Sequence, residues 1–103
     1  HLSPKIAPFK AAVFPLVKNK PELTGLAQQI FTTLTNRFAV TWDDRGNIGK
    51  RYLYQDEIGT PVCITVDYQS LEDQTVTIRD RDSANQERIA ITQLESYLQA
   101  MVS

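Results

Sequence analysis

Residues 43–67, DDRGNIGKRYLYQDEIGTPVCITVD, decide the fold. Asp43–Asn47 is a turn, and Ile48–Ile58 a short helix. The helix is closed by Gly59 with Pro61 just beyond, the usual stop arrangement. Pro61–Val66 (PVCITV) is apolar or small on both faces, which suits a central strand covered on two sides. Lys50, Arg51, Tyr52 and Tyr54 combine cationic donors with flat rings, the combination that nucleic acid rewards.

Upstream, Ala11–Val17 (AAVFPLV) is expected to be a short buried strand, with Pro15 near its end where a ladder donor is dispensable. Asn19-Lys20-Pro21-Glu22 starts a helix, with Pro21 at the first helical position and Glu22 near the positive end. Leu23, Leu26, Ala27, Ile30, Phe31 and Leu34 recur at helical spacing through about Arg37. Phe38–Trp42 (FAVTW) is the second strand. Downstream, Asp67–Gln74 is expected to be a polar loop. Thr75–Arg79 (TVTIR) alternates as a strand does, Asp80–Gln86 is a turn, and Glu87–Ile91 is a last strand. Thr92–Val102 is expected to be a helix with a Thr92/Glu95 capping box. Its apolar face is Leu94, Tyr97, Leu98, Met101 and Val102. The order β-α-β-α-β-β-β-α gives an α/β fold with a mixed sheet. The helix-linked early strands are parallel, with right-handed crossovers, and the late ones antiparallel.

A chain of 103 residues, 42% hydrophobic and 22% charged, supports one soluble domain with a single core. No apolar run is long enough to span a bilayer, so no membrane partner is expected. The opening HLSPKIAPFKAAVFP, with three prolines, is not a signal peptide. It looks like the end of a linker, and the chain is expected to be one module of a longer protein. The lone Cys63 fits a reducing, cytoplasmic setting. Net charge is −1, which excludes a generically basic nucleic-acid binder. Any RNA contact must be local.

Catalytic options are thin. His1 is terminal, leaving no catalytic histidine, and Cys63 lies mid-strand with nothing nearby to favour its thiolate. No His/Cys cluster offers a metal site. Gly46–Gly49 (GNIG) invites a phosphate-loop reading, but no lysine–threonine pair follows, and a plain strand-to-helix turn is the better explanation. Most carboxylates (Asp43, Asp44, Asp67, Glu72, Asp73, Asp80, Asp82) are expected to be solvated loop or helix-end charge. Asp56 and Glu57 are expected to pair with Arg79 or Arg81 and hold the fold. Trp42, Phe9, Phe14, Phe31 and Phe38 are expected in the core. Lys50-Arg51 and Arg79-Asp80-Arg81-Asp82 each have a bland reading as solvated or salt-bridged surface. Two such features on one small sheet, with tyrosines interleaved, favour single-stranded RNA.

The runs IAPFKAAVFPLV and FAVTWDDRGNIGKRYLYQDEIGTPVCITVDYQSLEDQTVTIRDRD closely resemble the C-terminal anticodon-binding domain of the dimeric, class II glycyl-tRNA synthetases. The most specific parts are IGKRY, QDEIGTPVC and LEDQTVTIRDRD. The resemblance covers nearly the whole chain, so residues 1–103 are expected to be one anticodon-binding domain cut from a longer synthetase. It implies a five-stranded mixed sheet with three helices, like the anticodon-binding domains of class IIa synthetases. It also implies a role in docking the anticodon loop of tRNA(Gly) for a separate catalytic domain. ATP and magnesium would belong to that parent enzyme, a homodimer, and no cofactor to this domain. The fragment alone is not expected to charge tRNA.

Glycine anticodons carry cytosine at the second and third positions, so the site needs a carboxylate or carbonyl acceptor beside a donor. Carried over, the resemblance implies contacts from Asp43 to Arg51 (Asp43, Asn47, Lys50 and Arg51 above all), from Glu72 and its neighbours, and from Arg79 to Arg81, with Arg79 or Arg81 as donors and Glu72, Asp43 or Glu57 as the acceptor. Asn47 and Glu72 fall at one end of the sheet and Arg81 nearer the other, close to Glu57. The end with Asn47, Lys50 and Arg51 is the firmer expected contact. The same fold type also serves as a protein-interaction module, as in the accessory subunit of mitochondrial DNA polymerase. On that alternative reading the basic residues are solvation.

Overall fold

A computed structural model describes residues 9–102. The expectations for the His1 terminus, for the lead-in through residue 8 and for the side chain of Val102 lie outside the described residues. The elements are β1 (Ala11–Pro15), α1 (Pro21–Thr35), β2 (Val40–Trp42), α2 (Ile48–Glu57), β3 (Val62–Val66), α3 (Tyr68–Asp73), β4 (Thr75–Asp80), β5 (Gln86–Ala90) and α4 (Leu94–Val102). A 3-10 turn, Ile91–Gln93, precedes α4.

The five strands form one sheet in the order β2-β1-β3-β4-β5. β1 pairs in parallel with both β2 and β3, because a helix separates each from the next in sequence. β4 and β5 add antiparallel pairs. β3 is the middle strand and buried along its length, as its two-sided apolar pattern requires.

Alternation along the strands sorts the core into two faces. Ala11, Val13, Val40, Val62, Ile64, Val66, Val76 and Ile78 pack with Leu23, Ala27, Ile30 and Leu34 of α1 and Leu94 and Leu98 of α4. The opposite residues, Ala12, Phe14 and Cys63, meet Ile48 and Tyr52 of α2. Phe14 is fully buried, while Phe31, Phe38 and Trp42 are half-buried against the larger core and Phe9 is half-buried. Met101 is exposed, so the inward face of α4 is narrower than its sequence suggests.

The structure adds a helix that the sequence reading missed. Residues 67–74 are not a loop: Asp67 accepts from the Ser70 amide (3.1 Å), and Ser70 Oγ accepts from the Asp67 amide (3.0 Å). This reciprocal cap starts α3. Gln74, in the left-handed region at φ 58°, ends it. The sheet therefore carries four α-helices instead of three. At α4 the expected Thr92/Glu95 capping box gives way to the 3-10 turn, which contains Thr92. Glu95 instead pairs with Arg37 of the α1–β2 connection (3.0 Å). Phe38 falls outside β2 because its amide still donates to the Leu34 carbonyl of α1 (2.9 Å).

Candidate nucleic-acid interface

Helix α2 sets the site. Asn47 is its N-cap, its side chain accepting from the Lys50 amide (2.9 Å). Gly46, at φ +57°, brings the chain into that cap. The Gly46–Gly49 segment is thus a strand-to-helix turn whose first carbonyl accepts from Arg51 (3.4 Å). From Ile48 the helix turns Ile48, Arg51, Tyr52 and Gln55 toward the sheet and Lys50, Leu53, Tyr54 and Glu57 toward solvent.

Arg51 corrects an expectation. It is 3% exposed and cannot present its charge to RNA. Its Nη1 donates to the Pro15 carbonyl (2.6 Å) and the Asp43 carbonyl (3.5 Å). Its Nη2 donates to Leu16 (3.2 Å) and Gly46 (3.4 Å). The guanidinium clasps the end of β1 to the β2–α2 turn, supplying donors to carbonyls that the sheet leaves unpaired. Burial pulls its pKa down, though an arginine so placed stays charged.

Asp43 is likewise withdrawn, at 2% exposed. Burial alone would raise its pKa, but hydrogen bonds from Arg45 and Gln55 outweigh this and hold it below the ordinary carboxylate value. Asp43 accepts from the Arg45 amide (3.1 Å), from Arg45 Nε (3.2 Å) and from Gln55 Nε2 (3.2 Å). Thr60 donates in turn to Gln55 Oε1 (2.7 Å). Asp43, buried and already accepting from three donors, is not open to a cytosine amine.

At the far end of α2, Arg79 lies between Asp56 (3.5 Å) and the Tyr52 ring (4.9 Å), so the expected Asp56–Arg79 pair is present. Tyr52 shares a hydrogen bond with Thr65 (2.7 Å), and burial raises its phenol pKa. Arg81 donates its amide to the Pro61 carbonyl (2.9 Å) and pairs with Asp82 (3.0 Å), its side chain only 6% exposed. Glu57 is exposed nearby. Burial pushes the Cys63 thiol up to about 12, in keeping with a core role.

The expected residues therefore divide between two ends of the sheet. Asn47, Lys50 and Glu72 lie at the end where β1 and β3 finish, since Pro15 pairs with Val66 and α3 follows directly. Arg81 and Glu57 lie where β3 begins, roughly 15 Å away along the strands. Among Asp43, Asn47, Lys50, Arg51, Glu57, Glu72, Arg79 and Arg81, the exposed side chains are Asn47, Lys50, Glu57 and Glu72.

Arg45 lies within the expected Asp43–Arg51 turn but is not singled out there; it sits over the Tyr54 ring at 4.5 Å beside Lys50, around a shallow depression shared with Gly46. An arginine two residues after an aspartate is a local pairing signal. One residue escaped the sequence reading. Arg88 of β5 donates to Asp67, Thr75 and Thr77, tying α3 to the last two strands. The alternation that puts Arg88 and Thr77 on one face was the available signal.

An exposed cation–aromatic contact on a small mixed sheet is the kind of surface on which unpaired bases can stack. The chain belongs to the anticodon binding domain family, whose sequence model matches residues 10–101. It is 54% identical over 102 residues to the glycine–tRNA ligase of Borreliella burgdorferi, covering 99% of this chain and 23% of that protein. It is 57% identical over 98 residues to the glycine–tRNA ligase of Alkaliphilus oremlandii, covering 95% of this chain and 21% of that one. The chain thus spans a little under a quarter of these relatives. Prolyl-tRNA synthetase from Cryptosporidium parvum shares the fold, with a TM-score of 0.87 at 23% identity over 96% of this chain and 22% of that one. Among the described residues no helix is long and apolar enough to cross a membrane.

Proposed function

We propose that this chain is the anticodon-binding portion of a glycine–tRNA ligase and docks the anticodon loop of tRNA(Gly). The observation that carries the reading is identity above half with ligases of that name over nearly the whole chain. It favours a tRNA-binding role over a protein-interaction module. On this reading glycine activation, with ATP and magnesium, belongs to the rest of the polypeptide. The parent acts in the cytoplasm as a homodimer.

The exposed groups suit the bases expected. Lys50 supplies a cationic donor, while Glu72 and Glu57 supply carboxylate acceptors for cytosine amines. Asp43, Arg51 and Arg79 support this surface from within. Arg81, its side chain only 6% exposed and its Nη2 held by Asp82, is proposed to shape the opposite end of the surface from within.

The test is a titration of the chain with an RNA hairpin bearing a glycine anticodon, against the same hairpin with uracil replacing both cytosines. Weaker binding to the second is expected. Equal binding would remove anticodon recognition from this chain.

A further inference from the structure

We infer that Arg45, set over the Tyr54 ring and gripped by Asp43, is a shelf on which an unpaired base of the bound RNA stacks. This rests on the RNA-binding reading above and assigns a role to two residues it leaves unassigned.

The Arg45 side chain is 67% exposed yet held on the protein side. Here Nε and Nη2 reach the two Asp43 oxygens (3.2 and 3.5 Å), and the Arg45 amide donates to the same carboxylate (3.1 Å). Asp43 is buried and fixed by Gln55 and Thr60, so the grip is anchored in the interior. The guanidinium carbon lies over the Tyr54 ring at 4.5 Å, and that ring is itself 42% exposed. The rotamer is therefore set before any ligand arrives, which removes part of the ordering entropy of binding.

The geometry also distinguishes a base from a phosphate. A phosphate is best held by a fork of two guanidinium N–H groups. The Nε–Nη2 edge of Arg45 is already committed to Asp43, whose charge also offsets that of the arginine. The plane is what the residue still offers, and guanidinium planes are stacking surfaces for unpaired bases. Lys50, a point charge beside the same depression, suits the neighbouring phosphate.

The test compares the wild-type chain with Arg45→Ala, Arg45→Lys and Tyr54→Ala in titrations with the glycine-anticodon hairpin. Further hairpins each lack one loop base. Arg45→Ala should lose roughly ten-fold in affinity. Arg45→Lys should lose nearly as much, since it keeps the charge without the plane. One abasic position should weaken the wild type and not weaken Arg45→Ala further. Tyr54→Ala, which leaves the partners of Asp43 intact, should lose affinity in the same direction and decides the matter if Arg45→Ala does not fold. Full affinity in Arg45→Lys would overturn the inference, as would additivity at every loop position. A wild type that binds no better than to a hairpin without the cytosines would instead overturn the reading beneath it.

Discussion

Arg51 Nη1 donates to the Pro15 carbonyl at 2.6 Å, joining helix α2 to the end of the first strand. Four carbonyls depend on this one guanidinium. Arg51→Ala should lower the unfolding free energy by about 3 kcal/mol, because buried acceptors lose their donors. Arg51→Lys should recover less than half, since an ammonium cannot fork between two strand ends. Urea unfolding measures both. A loss below about 1 kcal/mol would mean that water replaces the clasp.

Lys50 is next to Arg51 in sequence and opposite in role. Lys50→Ala should leave the unfolding midpoint unchanged, while the slope of log affinity against log salt for the RNA hairpin falls by about one. An unchanged slope would take Lys50 off the RNA.

Acid should weaken the fold through Asp43 and Asp67. For both, burial raises the pKa, but hydrogen bonds from Arg45 and Gln55, and from Arg88 and Ser70, lower it further. A carboxyl depressed in the folded state stabilises it above the unfolded value of about 3.9. That contribution is lost as pH falls through the folded value. Urea midpoints should be flat near neutrality and drop below about pH 4. Asp43→Asn should flatten part of that drop. Identical slopes in the two proteins would assign the acid sensitivity elsewhere.

The α3 cap can be tested by removing one hydroxyl. Ser70→Ala breaks its bonds with the Asp67 amide and carboxylate and should lower stability by about 1 kcal/mol. Amide exchange should accelerate over residues 70–74. If protection there is unchanged, packing rather than capping holds the helix.

Cys63 provides a reporter of opening. With its thiol pushed up to about 12 and buried, it should resist a thiol reagent at pH 8 in the folded chain and react once urea unfolds it. Fast labelling of the native chain would show β3 to be accessible.

Much of the architecture was legible because its signals are local. Pro21 opens α1, Gly59 and Pro61 close α2, and Val76 and Ile78 alternate with Thr75, Thr77 and Arg79 along β4. Helix α3 was not legible: its apolar residues Tyr68 and Leu71 are exposed, so no buried stripe marks it, and Gln74 ends it where glycine is the usual sign. The site was harder. Lys50 and Arg51 look equivalent in a string, yet a helix rotates about 100° per residue and sends one outward and the other in. The stripe Ile48, Arg51, Tyr52, Gln55 carried that phase, but a charged residue within it was read as surface. Which partners hold Arg88 depended on strand register, which no local pattern states.

The Arg51 clasp is blind to side chains. It grips only main-chain oxygens, so a change of residue type at position 16 leaves its bond intact as long as the backbone path is kept. Position 51 has no such latitude, because no other side chain reaches four acceptors at once. Change at position 16 is thus limited by its packing on the core rather than by the clasp, while change at position 51 is limited by the clasp itself.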